Sequence, residues 1–191
     1  YAVSGVDDPL RANVLHYVDT VQLGRQARLA ENDYADVIAD AERRASEALR
    51  PYGYYNPNVR GRITRRDDES LELKLDIDRG PPTVIEAAHI ELIGEGVSLA
   101  ELNQWRDRWP LQVGAVLNQV TWEAEKQRAL EMAQAHGFMG ARFLEHALEL
   151  DLDENSAVLR LVLDTGPQYL FGDIEFGEHV LKPGILEFIP R

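Results

Sequence analysis

Two stretches of similar pattern decide the fold of this chain: LELKLDIDRGPP at residues 71–82 and AVLRLVLDTGPQ at residues 157–168. The first alternates apolar and charged residues over 71–78, which is typical of a β-strand with one buried face and one face in water. Each stretch contains a Gly-Pro pair, and the two glycines, Gly80 and Gly166, are 86 residues apart. The pattern predicts a structural unit that recurs along the chain.

Two further landmarks recur at nearly the same distance. The glycines in RPYGYYNPNV (50–59) and QAHGFMGARF (134–143), Gly53 and Gly137, are 84 residues apart. The isoleucines in AAHIELIG (87–94) and FGDIEFG (171–177), Ile90 and Ile174, are also 84 residues apart. Because three features keep their order and spacing, the sequence indicates tandem repeats.

The first repeat, residues 1–80, is predicted to have the element order β-α-α-β-β. Asp8-Pro9 is typical of a helix start, and Pro51 followed by Gly53 is typical of a helix end. A polar connector over about 21–32 is expected between the two helices. The periodicities place helices at about 9–20 and 34–50, and strands at about 1–4, 58–66 and 71–78.

The second repeat, residues 81–166, gives the same order. Ser98 and Glu101 have the spacing of a capping box, so a helix is expected to open there. The other elements are expected at about 84–93, 120–135, 141–151 and 157–164. Residues 167–191 read as the opening of a third copy, with a helix near Leu181–Phe188.

These repeats predict an α+β chain in which each unit packs two helices on one face of a three-stranded sheet. The prolines after Gly80 and Gly166 have fixed φ and no N–H, so short, stiff joints are expected between units. The prediction is therefore an elongated array.

Composition restricts the function classes. The net charge is −13, from 20 basic and 33 acidic residues, which disfavours binding to nucleic acid and to anionic lipid. No apolar run approaches the roughly 20 residues that a membrane-spanning helix needs. The absence of cysteine excludes disulfides, thiolate catalysis and zinc–thiolate sites.

The sequence contains none of the common residue patterns for catalysis or metal binding. The five histidines have no metal-ligand spacing, and no serine lies in a Gly-x-Ser-x-Gly setting. Trp105, Trp109 and Trp122 have helical spacing and are interpreted as core residues. We therefore expect a protein that is not an enzyme and needs no cofactor or metal. The alternative from another class is a small acidic enzyme or ligand-binding protein with its site between two similar halves.

The predicted repeat resembles a known domain family. The βααββ unit resembles the POTRA domain, and ALRPYGYYNPNV (48–59) is similar to the end of the second helix in the first POTRA unit of TamA-like outer-membrane assembly factors. The run GPQYLFGDIEFGEHVLKPGILEFIP (166–190) is similar to the opening of their third unit. The related BamA proteins and secretion-partner porins remain an alternative within the same superfamily.

The resemblance implies a setting and partners. It implies a periplasmic location, tethered to the outer membrane by a C-terminal β-barrel outside this chain, with a signal peptide and the rest of the third unit also outside it. The implied partners are a TamB-like inner-membrane-anchored protein, unfolded outer-membrane protein clients and the protein's own barrel. The implied function is a scaffold that helps to insert or secrete outer-membrane proteins.

In POTRA folds the third strand is central, so the strand near 58–66 is expected to be an open edge. An open edge presents backbone N–H and C=O groups with which an extended segment can pair. Two interpretations of its arginines remain open: they protect the edge from aggregation, or they steer an acidic or C-terminal partner segment. Gly61 is interpreted as permitting close backbone approach. The candidate partner-binding residues are Val59, Arg60, Gly61, Arg62, Ile63, Thr64, Arg65 and Arg66.

Overall fold

The structure is a computed structural model that describes residues 1–19, 34–68, 70–170 and 172. The expected connector over 21–32 and the expected helix of the third copy lie outside these residues. The elements are strands β1 (Ala2–Ser4), β2 (Asn58–Arg65), β3 (Leu71–Asp78), β4 (Val84–Ile93), β5 (Arg142–Asp151) and β6 (Ser156–Asp164), and helices α1 (Leu10–Asp19), α2 (Tyr34–Leu49), α3 (Ala100–Asp107) and α4 (Gln119–Ala135).

The strands form two three-stranded sheets of the same topology. The first has the order β1-β3-β2 and the second the order β4-β6-β5. In each sheet the last strand is central, parallel to the first strand and antiparallel to the second. The predicted α+β class, with a three-stranded sheet in each repeat, is confirmed, and both sheets are mixed.

Each sheet buries one face against its own helices. In the first repeat the apolar residues of β3 pack with α1 and α2, and Ala41 and Ala45 have no exposed surface. In the second repeat the alternate residues of β6 pack with Trp105, Trp109 and Trp122. These tryptophans contact edge to face, with ring centroids 5.3 and 5.7 Å apart. Their interpretation as core residues is confirmed.

The joint between the repeats uses the glycine that follows α2. Gly53 has φ +86°, and its carbonyl accepts a hydrogen bond of 2.7 Å from the backbone N–H of Thr83, just after the Gly-Pro-Pro run. Gly137 has φ +87°, and its carbonyl accepts from Tyr169 at 2.8 Å, just after Gly166-Pro167. In both repeats, the backbone that leaves the repeat donates a hydrogen bond to the carbonyl of the helix-end glycine.

The start of α3 differs from the expectation, and one aromatic side chain crosses to the second repeat. The side chain of Ser98 does not cap α3: it lies in a short 3-10 turn over Glu95–Ser98, and Leu99 is the N-cap residue. Tyr55, two residues after the helix-end glycine Gly53, packs against the core of the second repeat. Its hydroxyl accepts a hydrogen bond of 2.6 Å from the side-chain amide of Gln119.

Candidate partner-binding edge

The candidate residues lie along β2, as expected. Val59–Arg65 belong to the strand, and Arg66 follows it. In the order β1-β3-β2, β2 pairs with β3 on one side. Among the described residues, no strand pairs with its other side, so β2 is an edge strand there.

The two faces of β2 have different chemistry. Val59 and Ile63 point towards the helices and pack against the first core. Arg60 and Arg62 are exposed on the opposite face, where Arg60 is opposite Asp76 and Arg62 is opposite Lys74 in the antiparallel register. A strand next to β2 would therefore meet apolar groups on one face and guanidinium groups on the other.

The arginines of the candidate site fall into different classes. Arg66 is bound by the carboxylate of Glu72, and this bond together with Lys74 lowers the pKa of Glu72. Arg60 and Arg62 form no ion pair or side-chain hydrogen bond with any other described residue. These two arginines therefore differ from Arg66, because no described residue pairs with their charge.

The outer backbone edge of β2 is partly occupied by α2. The N–H of Gly61 donates to the carboxylate oxygen Oε1 of Glu42 at 2.7 Å, so this amide points away from β3. Because hydrogen-bonded pairs alternate along an antiparallel ladder, the outward-facing groups belong to Val59, Gly61, Ile63 and Arg65. A Cβ on Gly61 would lie 3.0 Å from Cγ2 of Ile38. The close approach that the sequence suggested at Gly61 is therefore made by the protein's own helix.

Glu42 is the residue of this edge that sequence reasoning missed. It is half-buried, and it lies four residues after Ile38 and one after the buried Ala41. The sequence did offer one signal for Glu42: its carboxylate lies on the border of the apolar stripe of α2. Its target on β2 depends on how α2 crosses the sheet, and the sequence pattern does not contain that information.

The second edge strand, β5, is built differently. Its pairing with β6 shifts register between Phe143 and Glu145, which leaves Leu144 as a bulged residue, 55% exposed. Glu149 on this strand pairs with Arg160 at 2.6 Å. A bulge twists an edge and interrupts its ladder, so β5 is a poorer template for an incoming strand than β2.

The described residues contain no group of His, Asp and Glu side chains suited to hold a metal ion. A hollow of about 180 Å³ lies between α3 and α4, lined by Trp105, Arg108 and Glu125 among others. This hollow is within the second repeat and not between the halves. Within the same residues, none of the helices has the length and apolar character required to cross a bilayer.

Residues 1–79 match the family described as "POTRA domain TamA domain 1". Solved structures with a similar arrangement include BamA POTRA3-5 from Haemophilus influenzae, at 15% identity and TM-score 0.41, covering 66% of this chain and 50% of that one. The N-terminal domain of Omp85 from Thermosynechococcus elongatus is 13% identical with TM-score 0.36, covering 85% of this chain and 59% of that one. POTRA1-2 of Omp85 from Anabaena is 13% identical with TM-score 0.36, covering 88% and 94%.

This chain spans between half and three-fifths of the first two of these structures. The family match covers the first repeat, and the second repeat has the same strand order with the same parallel and antiparallel pairings. Residues 1–79 therefore match the family of the first TamA POTRA domain, and the second repeat has the same sheet topology as those residues.

Proposed function

We propose that this chain is a protein-binding scaffold, not an enzyme, and that it holds extended protein segments at the outer edge of β2 during outer-membrane protein assembly or secretion. The observation that carries the proposal is an edge strand whose exposed face bears Arg60 and Arg62 without ion-pair partners among the described residues. POTRA domains belong to Omp85-type assembly proteins, and the similarity of residues 1–79 to the TamA domain supports the same role here.

Energetics require more than backbone pairing. Five or six new backbone hydrogen bonds at roughly 0.5–1.5 kcal/mol each must overcome an association cost of roughly 4–15 kcal/mol. The side chains on the two faces of β2 can supply the difference. The guanidinium groups of Arg60 and Arg62 favour acidic side chains, and Val59 and Ile63 offer apolar contact at the border of the core.

The proposed setting is the periplasm, with the protein tethered to the outer membrane by its C-terminal barrel. The proposed partners are a TamB-like protein anchored in the inner membrane, unfolded outer-membrane clients and that barrel. We also propose a division into POTRA 1 (1–80), POTRA 2 (81–166) and the start of POTRA 3 (167–191). The boundaries are supported by the two equivalent glycine joints at Gly53 and Gly137.

A titration of the chain with the C-terminal segment of a TamB-like partner tests this function. Amide chemical shifts should change mainly over residues 58–66, and Arg60→Gln combined with Arg62→Gln should weaken binding about tenfold or more. Glutamine is preferred to glutamate because Arg60 is opposite Asp76. The control is Arg108→Gln with Arg128→Gln, which removes the same charge from the second repeat, at the residue after α3 and on α4. If both double variants bind equally, the two arginines only protect the edge, and shifts confined to other residues would remove β2 from the proposal.

A further inference from the structure

One contact at the β2 edge has the geometry of a strand–strand hydrogen bond. The Glu42 carboxylate oxygen lies 2.7 Å from the outward-facing N–H of Gly61. The carbonyl oxygen of a neighbouring strand would lie at about 2.9 Å from the same nitrogen. The side chain of Glu42 therefore occupies the position that a partner's carbonyl oxygen must take.

We propose that Glu42 acts as an internal competitor of the partner strand: it occupies the Gly61 amide until an extended segment displaces it. This inference rests on the proposed strand addition at β2 and adds a regulating contact to it. A bond between a charged acceptor and a backbone N–H is stronger than the neutral bond that replaces it. Wild-type binding is therefore weakened by the cost of breaking the Glu42–Gly61 bond.

The same geometry defines the chemistry of the incoming segment. On the open face its side chains meet Arg60 and Arg62, which favours acidic residues. On the helix face they meet Ile38 and the displaced carboxylate of Glu42, so apolar residues are favoured and acidic ones are disfavoured. Because side chains alternate along a strand, the partner is an extended protein segment that alternates acidic and apolar residues.

The probe for this test is a peptide of the length of β2, blocked at both ends, that alternates Val and Glu. A second peptide alternates Val and Ser and carries no charge. Both are titrated into the full chain, and affinity is measured from amide shifts in NMR spectra. The variants are Glu42→Ala, Glu42→Gln and, as a matched control, Glu47→Ala, which removes a carboxylate from the same helix that pairs with Arg43 instead of β2.

We expect Glu42→Ala to bind both peptides roughly tenfold more tightly than the wild type, because the competing charge-assisted bond is gone. The increase in affinity should be smaller for Glu42→Gln, because the amide oxygen of glutamine can still accept a hydrogen bond from the Gly61 N–H. Glu47→Ala should change affinity less than twofold. The Gly61 amide resonance in the free chain reports whether the bond was present and whether each variant is folded.

Three results would overturn the inference in different ways. If wild-type and Glu42→Ala chains bind equally with shifts at 58–66, strand addition stands and the competitor role falls. If the two variants Glu42→Ala and Glu42→Gln bind the acidic peptide more tightly by the same factor, and the uncharged peptide no more tightly, Glu42 acts by charge repulsion alone. If neither peptide shifts β2 in any folded variant, the proposed function itself fails and the competitor role with it.

Discussion

At the scale of single residues, neighbouring arginines on β2 should have opposite effects on stability when reversed in charge. Arg60→Glu places a carboxylate directly opposite Asp76, whereas Arg62→Glu places one opposite Lys74. Cross-strand pairs of this kind contribute roughly 0.2–1 kcal/mol, favourable for opposite charges and unfavourable for like charges. We expect Arg60→Glu to lower the free energy of unfolding in urea and Arg62→Glu to leave it equal or raise it.

This comparison also checks the register of the first sheet. Both substitutions change the net charge equally, so a general electrostatic effect would move both in the same direction. The same sign for both variants would mean that this general effect outweighs the cross-strand pairs that the register assigns to Arg60 and Arg62. Measurement in 0.5 M salt should reduce the difference, because exposed charges are screened.

The arginines of β2 show which features of single residues can be predicted from the sequence alone. The run NVRGRITRR predicts a basic strand, and its position at the sheet edge follows from the fold. Arg66 is bound by Glu72, whereas Arg60 and Arg62 have no ion-pair partner in the described part of the chain, and this difference depends on the register and the turn after β2. Those depend on tertiary pairing, so a count of basic residues could not provide them.

At the scale of elements, the two helices of the second repeat begin differently. Asn118 caps α4, with its side-chain oxygen accepting from the N–H of Thr121 at 3.0 Å. The N-cap residue of α3 is Leu99, which has no capping side chain. Asn103 donates instead to the carbonyl oxygens of Val97 and Leu99, at 2.7 and 3.0 Å. This bonding ties the 3-10 turn to the first turn of α3.

Substitution of Asn118, at the start of α4, and of Ser98, just before α3, should distinguish a capping residue from one that does not cap. Asn118→Ala is expected to cost about 0.5–2 kcal/mol of stability, because one helix N–H loses its acceptor. Ser98→Ala is expected to cost under about 0.5 kcal/mol, because the exposed hydroxyl bonds, among the described residues, the carbonyl of Glu95 alone. Thermal or urea unfolding of both variants measures the difference. Equal losses would restore the capping-box interpretation of Ser98.

Elements with a clear period were predicted well, and boundaries set by tertiary contact were not. Strand β3 was expected at 71–78 and spans those residues, because its alternation is complete. The start of α3 was misassigned because Ser98 and Glu101 satisfy a capping pattern locally. The structure places Gly96 against Thr165, whose hydroxyl accepts from the Gly96 N–H at 2.8 Å. That contact fixes the 3-10 turn from 69 residues away in sequence.

At the scale of the whole molecule, Tyr55 links the two repeats. Burial raises the pKa of its phenol, partly offset by the Gln119 amide and the charge of Arg50. A raised pKa means that the folded state prefers the neutral phenol. The contribution to stability is therefore fully present below the ordinary tyrosine pKa of about 10 and is lost as pH rises through the folded pKa.

Tyr55→Phe should reveal this dependence. At neutral pH the variant loses the bond from Gln119, which costs about 0.5–1.5 kcal/mol. Above about pH 10 the wild type also loses stability at this position while phenylalanine does not, so the two stabilities should converge. Urea unfolding measured from pH 7 to 11 tests this. A difference that stays constant over that range would mean that Tyr55 does not ionise at the joint.

The joint itself should depend on the absence of a side chain at Gly53. A Cβ there would lie 2.4 Å from the carbonyl oxygen of Leu117 in the second repeat, whereas a Cβ at Gly114 has nothing within 4 Å. Both glycines have φ +86°, so alanine incurs a similar backbone cost at each, about 1–2 kcal/mol. Gly53→Ala should therefore destabilise by a further 1–3 kcal/mol or so, from overpacking between the repeats.

Urea unfolding of the two alanine variants measures this extra cost, and the amide shift of Thr83, which donates to Gly53, locates it. In Gly53→Ala the Thr83 resonance should move because the repeats must separate to admit the methyl group. Gly114→Ala should leave that resonance in place. Equal stabilities with an unmoved Thr83 amide would mean that the repeats do not meet at this glycine, and the equivalent contact of Tyr169 with Gly137 would then lose its interpretation as a second joint.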